Sequence, residues 1–120
     1  MNLIIEIYDS EFLYPKYLPQ SNELHLVFTL WNGTNAKIVF KGVIAFCFHY
    51  IPCNTIGMRI QEQETEFLHT ALIYEYENIP SIHDFHCYEL LNIDDHPCVK
   101  IVAKEYQFLC PAPLDICEVV

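Results

Sequence analysis

The sequence predicts an α+β fold, mainly antiparallel β-sheet with one short helix, on three observations. Apolar and polar residues alternate along much of the first half. Hairpin-forming residues separate the alternating runs, and one segment after residue 61 changes to a helical period. The 120 residues, 52% of them hydrophobic, suffice for one core and are too few for two. One domain over residues 1–120 is expected, with a tail from about residue 110.

The opening "MNLIIEIYDSEF" is apolar but has no basic leader, and Glu6 and Asp9 interrupt it. It reads as a first strand and not as a signal peptide. "LHLVFTLW" sets Leu24, Leu26, Phe28 and Leu30 on one side against His25, Val27, Thr29 and Trp31 on the other. Asn32, Gly33, Thr34 and Asn35 then supply residues that tolerate positive φ in a hairpin turn. In "AKIVFKG", Ile38 and Phe40 oppose Lys37, Val39 and Lys41, and Gly42 marks a bulge or bend. "VIAFCFHY" is apolar on both sides, as a central strand would be, and Pro52 ends it. Glutamates followed by the stripe Phe67, Leu68, Ala71, Leu72 and Tyr76 predict a helix over about 62–74. Strands over about 84–91 and 98–108 complete the sheet, before the proline-broken "CPAPLDICEVV".

The stretch "HDFHCYELLNIDDHPC", His83 to Cys98, gathers three histidines, two cysteines and four carboxylates. Paired antiparallel across "NIDDHP", one register sets Leu90 opposite Cys98, Tyr88 opposite Lys100 and Asp84 opposite Lys104. Asp84, His86, Tyr88, Lys100 and Lys104 then form a wet face, and Phe85, Cys87, Val99, Ile101 and Ala103 a dry one. His86 and Cys87 point apart, and six strand residues spanning roughly 20 Å separate the rest. That is too far for one tetrahedral ion, so the stretch reads as a hairpin. Cys47 and His49 share a strand face and are close enough to touch, but a buried strand withholds the accessible thiolate that a nucleophilic pair needs. Three glycines and three serines build neither a phosphate-cradling loop nor a nucleophile elbow. Nothing in these patterns predicts an enzyme or a cofactor.

Charge is lopsided. Residues 61–120 set twelve acids against Lys100 and Lys104 and so carry the whole net charge of −10. Between Arg59 and Lys100 there are nine acids and no Lys or Arg. Such a field repels nucleic acid and anionic membranes and attracts basic partners or cations. Six cysteines without a leader imply a reducing, cytoplasmic setting in which the thiols stay free.

With "IVFKGVIAFCFHY" in its middle and "FHCYELLNIDDHPCVKIVAKEYQF" near its end, the chain resembles a group of small acidic β-rich bacterial proteins. These are largely uncharacterised, and some are classed as immunity proteins of polymorphic-toxin systems. The likeness spans about residues 24–108 and rests on pattern, not on a catalytic motif. It implies a compact antiparallel sheet, few helices and no cofactor, and it supplies no functional residues to carry over. The expected function is a non-enzymatic, immunity-type inhibitor that binds a basic protein such as a toxin. Its motivation is the acidic half together with eight Tyr, eight Phe and one Trp. The expected contact residues are Glu62, Glu64, Glu66, Glu75, Tyr76 and Glu77, with Asp94 and Asp95 at the hairpin tip. The alternative is a small-molecule or metal-binding protein using His and Cys around 83–98. Self-association through an unprotected edge strand is a further state to test.

Overall fold

In the computed structural model, which describes residues 2–4, 10–49, 53–61, 64–92 and 96–111, the alternating runs become nine antiparallel strands with one helix packed against the sheet. The strands are β1 (Asn2–Ile4), β2 (Ser10–Leu18), β3 (Glu23–Thr29), β4 (Asn35–Lys41), β5 (Ala45–Phe48) and β6 (Cys53–Ile60). They continue after helix α1 (Glu66–Tyr76) as β7 (His86–Asn92), β8 (Pro97–Ala103) and β9 (Glu105–Leu109). The hairpin from β3 to β4 turns where the sequence predicts it. Gly33 takes φ 84°, and Leu30 and Thr34 close the turn through a 2.9 Å backbone bond.

The hydrogen-bonded order is β5-β8-β7-β6-β2-β3-β4-β9, with β1 added beside β6. β8 runs on into β9 through Lys104, and β4 runs on towards β5 through Gly42. The ladder therefore follows a circuit, and the sheet curls around its inner face. Backbone bonds from Lys104 to Lys41 and from Ile44 to Val102, both 3.0 Å, carry the pairing across the bend. Gly42 takes φ 67°, and a Cβ there would lie 2.9 Å from Cγ of Lys104. Both the backbone conformation and this close approach select glycine.

The inner face is the main core. Phe12, Leu24, Leu26, Phe28, Phe40, Leu90, Val99 and Ile101 are fully enclosed. Rings tie distant strands together inside it: Phe40 lies 5.2 Å from Tyr88 and Phe12 lies 6.1 Å from Phe48, centroid to centroid. A second, smaller core lies on the outer face, where Leu68, Ala71 and Leu72 of α1 cover Phe85, Cys87 and Val102. Thr65 caps α1 by accepting the Leu68 N–H at 3.1 Å, so the helix begins four residues later than the glutamates suggest. It ends at Glu77, which takes the left-handed conformation at φ 66°.

Three expectations are corrected. β5 is not central: among the described strands it pairs only with β8, and it spans four residues. Its apolar run serves ring packing instead, since Phe46 meets Tyr17 at 5.2 Å and Phe48 at 5.5 Å. The strand expected over 98–108 is broken at Lys104, where the ribbon bends. The register of the last hairpin is one residue away from that expected: Leu90 faces Val99, Tyr88 faces Ile101, Glu89 faces Lys100 and His86 faces Ala103. The cause is an irregularity between Leu90 and Leu91; beyond it Leu91 faces Pro97, in the anticipated register. A one-residue slip moves side chains to the other face. Tyr88 thus lies in the inner core, Cys87 lies beneath the helix, and Lys100 joins the outer face.

Candidate functional site

Two outer surfaces carry polar chemistry. The first is α1 and the loop after it. With Leu68, Ala71 and Leu72 turned to the sheet, a 100° step per residue sends Ile73 and Tyr74 to the other side. Tyr74 is 87% exposed, and Ile73, Tyr76 and Ile79 are also exposed. Ile82, in the loop, is 90% exposed. Glu75, Glu77 and Asp84 are exposed among them. The last helical turn has no basic residue, so Glu75 and Glu77 add to the negative end of the helix dipole. The arrangement is locally unfavourable for the helix and concentrates negative potential beside apolar side chains.

Of the expected contact residues, Glu66, Glu75, Tyr76 and Glu77 lie exposed on this helix or at its end. Glu62, Asp94 and Asp95 lie outside the described residues. Glu64 has a different task. Its two oxygens bind Nε2 of His69 at 2.6 Å and Nε2 of His83 at 2.5 Å. Nδ1 of His83 accepts the Phe85 N–H at 3.3 Å, which assigns the imidazole proton to Nε2, facing Glu64. These bonds, His69 first and then His83, hold the Glu64 carboxyl below its ordinary range. Glu64 staples the entry of α1 to the approach of β7.

The histidines and cysteines between His83 and Cys98 therefore part company. His83 joins Glu64, and His86 stands near Tyr88 at 6.1 Å on the inner side. Cys87 is enclosed under α1, where burial pushes its thiol pKa up, and Cys98 is enclosed in the main core. Burial also pushes the Tyr88 phenol up to about 12, with Tyr106 adding to the effect. Among the described residues, no three His, Cys, Asp or Glu side chains converge as a metal ion requires.

The second surface is a polar row across four strands. Cys47 of β5 faces Lys100 of β8, Lys100 faces Glu89 of β7, and Glu89 faces Arg59 of β6. Glu89 is 5% exposed, and one of its oxygens accepts from Arg59 Nη2 at 2.6 Å, Arg59 Nε at 3.0 Å and Gln61 Nε2 at 2.6 Å. At the β5 end, Cys47 Sγ lies 3.8 Å from Nε2 of His49. Cys47 is half-buried and His49 exposed, so the pair lies at an accessible edge and not in the enclosed strand that the sequence suggested.

Sequence reasoning missed Ile73, Tyr74, Ile79 and Ile82 as surface residues and Lys100 as the neighbour of Cys47. A signal existed for the first group, since Ile73 and Tyr74 fall off the stripe Leu68, Ala71 and Leu72. No local signal existed for Lys100, whose place opposite Cys47 is set by the long-range pairing of β5 with β8. Comparisons with protein-family models, with curated proteins and with solved structures each find no match. Among the described residues, no helix is long and apolar enough to cross a membrane.

Proposed function

We propose that this protein is a non-enzymatic binding module of the immunity-inhibitor kind, neutralising a basic partner protein through the exposed side of α1 and the loop to β7. The observation that carries this reading is the juxtaposition of Tyr74, Tyr76, Ile79 and Ile82, all exposed, with Glu75, Glu77 and Asp84. Exposed aromatic and aliphatic side chains supply the area that water leaves on association, and the acids steer a basic surface towards it. The absence of Lys and Arg between Arg59 and Lys100 removes opposing charge along this part of the chain. Cytoplasmic residence, which rests on the cysteine usage, and a toxin as target, which rests on the resemblance to small acidic immunity proteins, belong to the same proposal.

A tagged pull-down at low salt, followed by mass spectrometry, identifies the partner; one basic protein at near one-to-one ratio is expected. The reading is then tested kinetically with the purified pair. Glu75→Lys with Glu77→Lys should slow association by about tenfold or more, with the gap closing as salt rises. Tyr74→Ala should mainly speed dissociation. Association and dissociation both unchanged in these variants would place the contact elsewhere and end this assignment.

A further inference from the structure

The polar row ends in a group of basic side chains that the acidic average conceals. Among the described residues, His49, His96, Pro97 and Lys100 line a groove of about 420 Å³, and the three titratable ones are basic. This is unusual surface for a chain of net charge −10. Cys47 stands beside it: its hydrogen-bond partner His49 and its cross-strand partner Lys100 both line the groove. Directly opposed residues in an antiparallel pair hold their Cβ atoms about 5 Å apart on one face. The described acids that approach Lys100 do so from its other sides. Glu89 lies one strand further and is engaged by Arg59 and Gln61, while Glu66 shares a separate pocket with Lys100, Phe67 and Thr70.

We propose that Cys47 is a nucleophilic thiol site for small anionic disulfides, with His49 as its base and Lys100 and His96 as the anion-holding groups. In the reaction, Nε2 of His49 takes the thiol proton as Sγ attacks one sulfur of R–S–S–R. The new Cys47–S–S–R bond forms while the old S–S bond breaks, and R–S⁻ leaves with the electron pair. The disulfide is the oxidant, and one thiol of the protein is consumed per thiolate released. Carboxylates on R meet the basic groove, which offsets the repulsion that the rest of the chain exerts on an anion.

Among the described cysteines the structure provides its own controls. Cys87 and Cys98 are buried, whereas Cys110 is exposed and makes no hydrogen bond to an imidazole. The test compares a dianionic aromatic disulfide, 5,5′-dithiobis(2-nitrobenzoic acid), with the neutral 2,2′-dithiodipyridine on the intact folded protein. Peptide mapping after one equivalent identifies the cysteine that reacts. Cys47 should be modified first, with a preference for the dianionic reagent about tenfold greater than that of Cys110. Lys100→Gln should reduce this preference to that of Cys110 while preserving the rate with the neutral reagent, and Lys100→Arg should keep it. His49→Gln should slow both reagents at Cys47. First modification at another cysteine, or a preference untouched by Lys100→Gln in a variant with native circular dichroism, would overturn the proposal.

Discussion

Two neighbouring rows of side chains cross the same four strands one residue apart, and they are built on opposite principles. The inner row is Phe48, Val99, Leu90 and Met58; the outer row is Cys47, Lys100, Glu89 and Arg59. Members of the inner row need only to be apolar and of suitable volume, because burial is not directional. Members of the outer row depend on one another by name, since an enclosed carboxylate is tolerable only while its donors remain. One backbone thus supports a robust face and a brittle one. The face with exacting partners is also the one that reaches accessible chemistry at β5.

The largest effect is expected from the inner row. Leu90 is completely enclosed, and Leu90→Ala should cost about 3–4 kcal/mol in denaturant unfolding, while Leu90→Met should cost well under half of that. In the outer row, Arg59→Ala should cost about 2–3 kcal/mol because Glu89 keeps only Gln61 of the donors described for its oxygen. The distinguishing measurement is a double variant. Arg59→Met with Glu89→Leu should recover most of the loss, which no second truncation beside Leu90 could do. A double variant as unstable as the two single changes added together would mean that the rows do not differ in kind.

The alternation of β3 and β4 was the legible part of the inner face. Alternation set Leu24, Leu26 and Phe28 on one side of the first strand and Ile38 and Phe40 on one side of the next, and all five are enclosed, because a strand has a side-chain period of two. The helix was readable from its stripe, although Thr65 and not the earlier glutamates sets its start. The outer row was illegible for a specific reason. The irregularity at Leu90 and Leu91 leaves no mark in composition, yet it parts Tyr88 from Lys100 and sets Glu89 opposite Lys100 instead. Apolar "AFCF" reads equally well as a central strand or as an edge strand whose rings fold over the mouth of a curled sheet. Only long-range pairing separates those two.

Tyr88 sharpens the contrast at intermediate magnitude, because it brings a polar atom to the inner side. Its phenol pKa is pushed up to about 12 by burial, so the folded state holds the proton more tightly than the unfolded chain, where a tyrosine titrates near 10. A raised value means that this stability is fully present below pH 10 and is lost as pH rises towards 12, by on the order of 2 kcal/mol. Unfolding followed between pH 9 and 12 should therefore be steeper for the wild-type protein than for Tyr88→Phe. Identical slopes would mean that the phenol is hydrated in the folded protein.

The smallest effect concerns Glu64, and it separates a structural acid from a binding acid. Its carboxyl is held below the ordinary range by His69 and His83, so the folded state holds that proton less tightly than the unfolded chain does. The sign is opposite to that of Tyr88: the contribution is present above the unfolded value and fades as pH falls through the depressed one. Glu64→Gln should lower the midpoint of thermal unfolding modestly at pH 7, and the gap to wild type should close as the solution is acidified. A gap that persists unchanged at pH 3 would exclude the carboxylate charge as its source. Glu75→Gln, on an exposed helix with no described partner, should leave the midpoint nearly unchanged at either pH. With a partner in hand the order should reverse, Glu75 governing the association rate and Glu64 hardly touching it. A crossed pattern of that kind can arise only if one acid serves the fold and the other serves the surface.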